Sequence, residues 1–282
     1  MRKMALLPML FFAFRLFGDP AQTVPDQEAL PCPDAFRIDP AYLQNAEDSG
    51  GQVLMVKPSE TAKAMSLIDS KLHGNTETIL RTSGKLKGNQ VDFSVPIDSS
   101  VESITFTAFI QCLKSVSIVN PKGMLVSGSA GATENKFHTG VILTLKTPEP
   151  GEWRIRLAGT GYYSAIAEAK SEIQLLSAEF VDPGGRPGHE GYFKHEGPLT
   201  SGQPQALQVE LDGPTATVQF VIMTADGDMN LLKLAKVSED ANSHQYAGQI
   251  TIPAQPFRIM AEGFDSQGLV FRRFYSPLFR PQ

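Results

Sequence analysis

The stretch Glu102-Ser103-Ile104-Thr105-Phe106-Thr107-Ala108-Phe109-Ile110 decides the fold. Ile104, Phe106, Ala108 and Ile110 recur at every second position. Successive side chains on an extended chain leave on opposite faces, so this period marks a strand with one face in a core. The same alternation surrounds it in Val91, Phe93 and Val95, in Val116 and Ile118, and in Val141, Leu143 and Leu145. It returns in Trp153, Ile155 and Leu157 and in Tyr163, Ala165 and Ala167. Ile173, Leu175 and the run 178–181 close the series. Short strands punctuated by Gly, Pro, Asn and Asp predict an antiparallel β-sandwich over residues 88–182. Residues 127–140, rich in Gly, Ser and Thr, read as a mobile loop within it.

Downstream, residues 183–204 are rich in Pro and Gly and read as a linker. A second strand series follows at 207–211, 216–223, 231–237, 246–252, 257–263 and 269–275. That number and spacing predict an immunoglobulin-like sandwich over residues 205–282. Upstream, Asp39 is a good N-cap, Pro40 suits the first helical position, and Gly50-Gly51 ends the helix. An apolar strand at Gln52–Val56 and a second helix from Ser59, with Ala62, Met65, Ile68 and Leu72 near one face, complete a helix-strand-helix segment over 39–73. The fold class is mainly β: two sandwiches behind a short α-containing segment.

At the N-terminus, Arg2 and Lys3 precede an apolar run from Ala5 to Phe14. A basic start and a run too short to span a bilayer predict a signal peptide over residues 1–21, with Arg15 an atypical interruption. Residues 22–38 read as a flexible arm, and no further transmembrane segment is expected. The 282 residues suffice for two domains, and a mean hydropathy near zero excludes a membrane-embedded body. The net charge of −5, without a basic run, excludes a nucleic-acid partner. Two cysteines, Cys32 and Cys112, permit one disulfide in an exported chain. The other reading is two free thiols.

The order of several motifs resembles a family. Ser49-Gly50-Gly51-Gln52-Val53-Leu54-Met55-Val56 is similar to the last helix and strand of a von Willebrand A domain. Ser115-Val116-Ser117-Ile118-Val119-Asn120-Pro121-Lys122-Gly123 and Pro148-Glu149-Pro150-Gly151-Glu152-Trp153 resemble two strand-and-turn motifs of the β-sandwich that follows that domain in hemicentin and related extracellular proteins. Ala261-Glu262-Gly263-Phe264-Asp265-Ser266-Gln267-Gly268 is similar to the hairpin closing the next domain there. The resemblance spans about residues 40–282. It implies a galactose-binding-like sandwich of jelly-roll type, then an immunoglobulin-like domain, in extracellular adhesion proteins. The first names a fold, not a sugar site. The Asp-x-Ser-x-Ser loop by which an A domain holds a divalent cation is absent from this sequence.

No catalytic set converges. Ser127-Gly128-Ser129-Ala130-Gly131 resembles a nucleophile elbow, but it lacks the leading glycine and a following helix. His189-Glu190 and His195-Glu196 cluster between glycines without helical zinc spacing. Asp226-Gly227-Asp228-Met229-Asn230 resembles the start of a calcium loop, yet Val237 occupies the position that needs Glu. His73, His138 and His244 carry no motif, and Asp92, Asp98 and Glu102 suggest no pairing. No cofactor or metal is therefore expected. Trp153 reads as core. Of Tyr162 and Tyr163, one ring faces outward on a regular strand and is the candidate surface contact.

These readings converge on a secreted or extracytoplasmic protein, periplasmic or at the cell surface. It is expected to be a non-catalytic binding, adhesion or scaffold protein acting through sandwich surfaces. The expected partner is an extracellular or cell-surface protein, an A-domain protein among the candidates. A carbohydrate- or cell-wall-binding module, with a glycan ligand, is the alternative; a hydrolase with dispersed residues is the third.

Overall fold

The computed structural model describes residues 11–12, 32–33, 37–69, 76–128, 131–186, 188, 191–224, 227–239 and 243–282. Most of the expected signal peptide and arm lie outside them, as do His73, Ser129-Ala130, His189-Glu190 and Asp226.

The first sandwich is one sheet folded over itself. Its central strands Val101–Val119 and Gly151–Ser171 each merge what the sequence reads as two short strands, and the third, Glu77–Ile97, starts well before the expected boundary at residue 88. The register shifts between Lys87 and Gln90, between Ile110 and Cys112, and between Leu113 and Ser115. Such bulges bend a strand, and each long strand contributes to the core from both sides of its bend. Phe106 stacks on Trp153 with ring centroids 5.7 Å apart, and Ile104, Ile118, Val95 and Leu80 share the core. Gly159 lies at the bend because the chains nearly touch there: a Cβ on it would sit 2.3 Å from the Cys112 carbonyl oxygen. Ala132–Phe137 pairs with Gly140–Lys146 as a hairpin, so much of the expected mobile loop is ordered strand.

The second sandwich has two sheets. Met229–Leu232, Thr215–Thr224, Phe257–Asp265 and Val270–Phe274 form one. Gly191–Lys194, Gln174–Gly184, Pro204–Asp212, Ser243–Thr251 and Ala235–Glu239 form the other. Two sequence readings change here. The expected strand 231–237 breaks at Lys233-Leu234, and its halves join opposite sheets. Gln174–Gly184, expected to close the first sandwich, pairs with Pro204–Asp212 and enters the second core, while Gly191–Lys194 in the expected linker forms a hairpin with it. Ile173, Leu175 and Ala178 bury their side chains against Leu207, Val209 and Ile259, so the second core starts where the first ends.

Helix Pro40–Ser49 begins as the sequence predicts: Asp39 Oδ1 accepts the Ala41 N–H at 2.9 Å. Strand Val53–Leu54, shorter than expected, pairs in parallel with Phe11–Phe12. A short turn at Pro58–Glu60 leads into helix Thr61–Asp69. Leu54, Met55 and Ala64 pack against Phe109, Phe137 and Ile142, on the side of the first sheet that faces away from its own core. Cys32 is disulfide-bonded to Cys112, closing a separation of 80 residues.

Candidate functional site

The two sandwiches meet in a buried polar network. Phe274 pairs with Thr78, which makes one sheet continuous across both. Beside that bridge Arg273 and Asp98 are both wholly buried. Arg273 Nη2 donates to Asp98 Oδ2 and to Ser171 Oγ, each at 2.7 Å, and Nε donates to the Ile173 carbonyl at 2.9 Å. Ser100 Oγ donates to Asp98 Oδ1. A buried charge needs this density of partners, because its hydration is lost. Asp265, within the family-like stretch Ala261–Gly268, accepts from the Ser99 N–H at 2.9 Å and from Ser99 Oγ at 2.6 Å. Burial alone would raise the Asp265 pKa; hydrogen bonds from Ser99, Leu269 and Gln267 outweigh it and hold the carboxyl below its usual range.

On the other side of the bridge the helix is clamped to both sandwiches. Arg81 donates to the Gly51 and Gly50 carbonyls at 2.5 and 2.6 Å. Arg258 Nη2 donates to Glu47 Oε2 and to the Glu47 carbonyl, both at 2.6 Å. Arg280 pairs with Asp48 at 2.6 Å. Burial opposes ionisation of Glu47, but Arg258, Ser83 and Arg81 outweigh it and lower its pKa. Burial, together with the charge of Arg258, lowers the pKa of Arg81.

Between these clamps lies a cleft of about 740 Å³, a size typical of ligand sites. Leu43 and Glu47 of the helix form one wall, and Arg81 and Tyr162 of the first sandwich form another. Met223, Arg258, Met260, Arg272 and Phe274 of the second sandwich form the floor. Apart from Tyr162, sequence reasoning missed these residues, since they lie in separate elements and share no motif. Of the two tyrosines, Tyr163 is only 9% exposed and stacks on Phe93, so it is core. Tyr162 is half-buried, lines the cleft, and carries Lys85 Nζ 5.2 Å from its ring centroid.

The turn motifs also prove structural. Gly151 packs so closely on Pro121 that a Cβ would lie 2.9 Å from its ring, and Trp153 Nε1 donates to the Glu149 carbonyl at 2.8 Å. The two motifs therefore hold each other.

The first sandwich has a counterpart among known proteins. Residues 76–172 match the model of the hemicentin galactose-binding domain-like family. The first sandwich is a hemicentin-like, galactose-binding-like domain. Mouse hemicentin-1 is 20% identical over 247 residues, covering 84% of this chain. The chain spans only 4% of hemicentin-1. A DUF4785 family protein from Legionella pneumophila is similar over 75% of this chain and 67% of its own, with 11% identity and a TM-score of 0.37. A Bacillus licheniformis lipase in its propeptide form covers 70% of this chain and 43% of its own, with 11% identity and a TM-score of 0.29. Beside the hemicentin-like domain, the remaining sequence candidates stay apart. Among the described residues no three His, Cys, Asp or Glu side chains gather for a metal. His195 Nδ1 instead pairs with Asp182 Oδ2 at 2.7 Å, and that hydrogen bond raises the imidazole pKa. Asp92 pairs with Arg156 and Glu102 with Lys170 on the surface. Among the described residues no helix is long and apolar enough to cross a membrane.

Proposed function

We propose that this protein is an exported, non-catalytic binding or adhesion protein, built as two domains, whose contact surface is the cleft where helix, hemicentin-like domain and immunoglobulin-like sandwich meet. The observation that carries the reading is the family match over the first sandwich. The Cys32–Cys112 bridge supports export, because such bonds persist in oxidising compartments. A cleft walled by the helix and both sandwiches presents apolar and charged groups together, as recognition surfaces do. Tyr162 is its aromatic contact residue. The test places a photoreactive phenylalanine analogue at Tyr162, and at exposed Leu176 as a control, and offers both proteins to extracellular material. Cross-links from 162 and none from 176 are expected. Absence of both, or turnover of ester or amide substrates by the pure protein, overturns the reading.

A glycan is the second reading, favoured by one observation. Tyr192 is exposed beside a groove of about 420 Å³ along the five-stranded sheet, lined also by Asp182, Gln205 and Gln249. An aromatic platform flanked by planar polar groups suits a sugar ring. Glycan-array binding abolished by Tyr192→Ala supports it; an array without signal removes it.

A further inference from the structure

The register of the second sandwich shows where the cleft leads. Met223 pairs with Met229 and with Arg258, Val221 with Leu231, and Met260 with Phe274. Directly paired residues share a face of the sheet. Met229, Leu231, Met223, Met260 and Phe274 therefore form one apolar strip on the side opposite Phe220, Ile222 and Ile259, which fill the core. The strip starts inside the cleft and runs out to the strand Met229–Leu232, the last in its sheet among the described residues. There Met229 is 59% and Leu231 64% exposed, whereas Val221, Met260 and Phe274, nearer the cleft, are at most 5% exposed. Exposed apolar side chains beside a cleft suit a contact site, and methionines adapt to varied ligand shapes.

Charge selects the occupant. The described lining of the cleft holds four guanidiniums, of Arg81, Arg258, Arg272 and Arg280, against one carboxylate, Glu47; outside the lining, Asp48 pairs with Arg280 at 2.6 Å and Glu262 lies 3.9 Å from Arg272. Two of those groups have unused donors. Nε of Arg81, in a side chain only 5% exposed, has no hydrogen-bond partner. Nε of Arg272 has none either, its nearest ion-pair partner being Glu262 Oε2 at 3.9 Å. Both nitrogens are themselves buried, and such an orphaned donor costs free energy; the Arg272 side chain as a whole is a quarter exposed.

We propose that this face binds an extended peptide segment of a protein partner, apolar over Met229 and Leu231 and carrying an acidic side chain to Arg272. This rests on the binding-protein reading above and names the ligand class. The span from the strand Met229–Leu232 to the strand Val270–Phe274 is three strand spacings, about 14 Å, which four or five extended residues cover. The test uses the full chain and a fluorescein-labelled peptide with a leucine and a glutamate about four residues apart, beside its glutamine twin. Fluorescence anisotropy is expected to show the glutamate peptide binding, and Leu231→Asp and Arg272→Gln each weakening it about tenfold or more at unchanged melting temperature. Phe193→Ser, on the other sheet, leaves binding as it was. The proposal is overturned if wild type binds neither peptide, if the glutamine twin binds equally, or if either cleft-face variant binds like wild type. It is equally overturned if light scattering shows a dimer that Leu231→Asp dissolves, for then a second copy covers the face. If cross-linking from position 162 persists while peptide binding fails, only this inference falls; if both fail, the functional reading falls with it.

Discussion

Arg273–Asp98 and Arg258–Glu47 are two ion pairs across one junction, and they differ in what surrounds them. Arg273 and Asp98 have no exposed side-chain surface, and the guanidinium is satisfied by a carboxylate, a serine hydroxyl and two main-chain carbonyls. The Arg258–Glu47 pair is also short, but Glu47 keeps a quarter of its side chain exposed and the pair borders the cleft. Next to it stand guanidinium nitrogens without partners. The closed pair fixes how the sandwiches meet. The open one holds the helix in place at the edge of the cleft.

The largest expected effect breaks the closed pair. Arg273→Met strands the Asp98 carboxylate in the core and is expected to cost about 3–5 kcal/mol in equilibrium chemical unfolding, as for other broken buried pairs. Arg273→Met combined with Asp98→Leu is expected to recover most of that loss; a double variant as unstable as the single would show that the pair stabilises beyond its own charges. Replacing both Cys32 and Cys112 with serine frees a loop of 80 residues and is expected to cost about 4 kcal/mol, with the same loss in wild type under reductant. Wild type unaffected by reductant would contradict this.

Opening the other pair is milder. Glu47→Gln keeps an oxygen for Ser83 but loses the charge, for an expected cost of about 1–2 kcal/mol. The pH dependence follows the same carboxylates. Glu47 and Asp265 have folded pKa values below their ordinary ones, so they add stability above the ordinary carboxylate range and lose it as pH falls through their folded values. Glu77 runs the opposite way: burial raises its pKa over the opposing Leu175 N–H and Arg273, so its contribution is present in acid and lost as pH rises. Thermal melts across the acid range are expected to show a smaller acid loss in Glu47→Gln than in wild type. The smallest effect is at Asp92–Arg156, on the exposed sheet surface, where Arg156→Ala is expected to leave the melting temperature unchanged.

The legibility of this protein follows from how local each signal is. Period-two alternation made the strands readable, and Asp39, Pro40 and Gly50 bounded the helix, because caps act through bonds within a turn. The break at Lys233-Leu234 was hidden, because both halves keep strand character and only their partners differ. Likewise the long strands read as short ones, since a bulge changes register with a partner strand rather than composition along its own. Asp98 looked unpaired because its partner lies 175 positions away.

By itself the sequence determined the strand content, the inward face of each strand, the helix ends and the two turn motifs, all consequences of neighbours within a few residues. The tertiary structure alone decided that Cys32 meets Cys112, that Arg273 meets Asp98, and that Tyr162 rather than Tyr163 turns to a cleft. It also decided that Met229 and Leu231 on an outer strand continue the floor of that cleft. Each of these depends on which distant segments the two cores bring together, and burial in a shared core is a property of the whole packed chain.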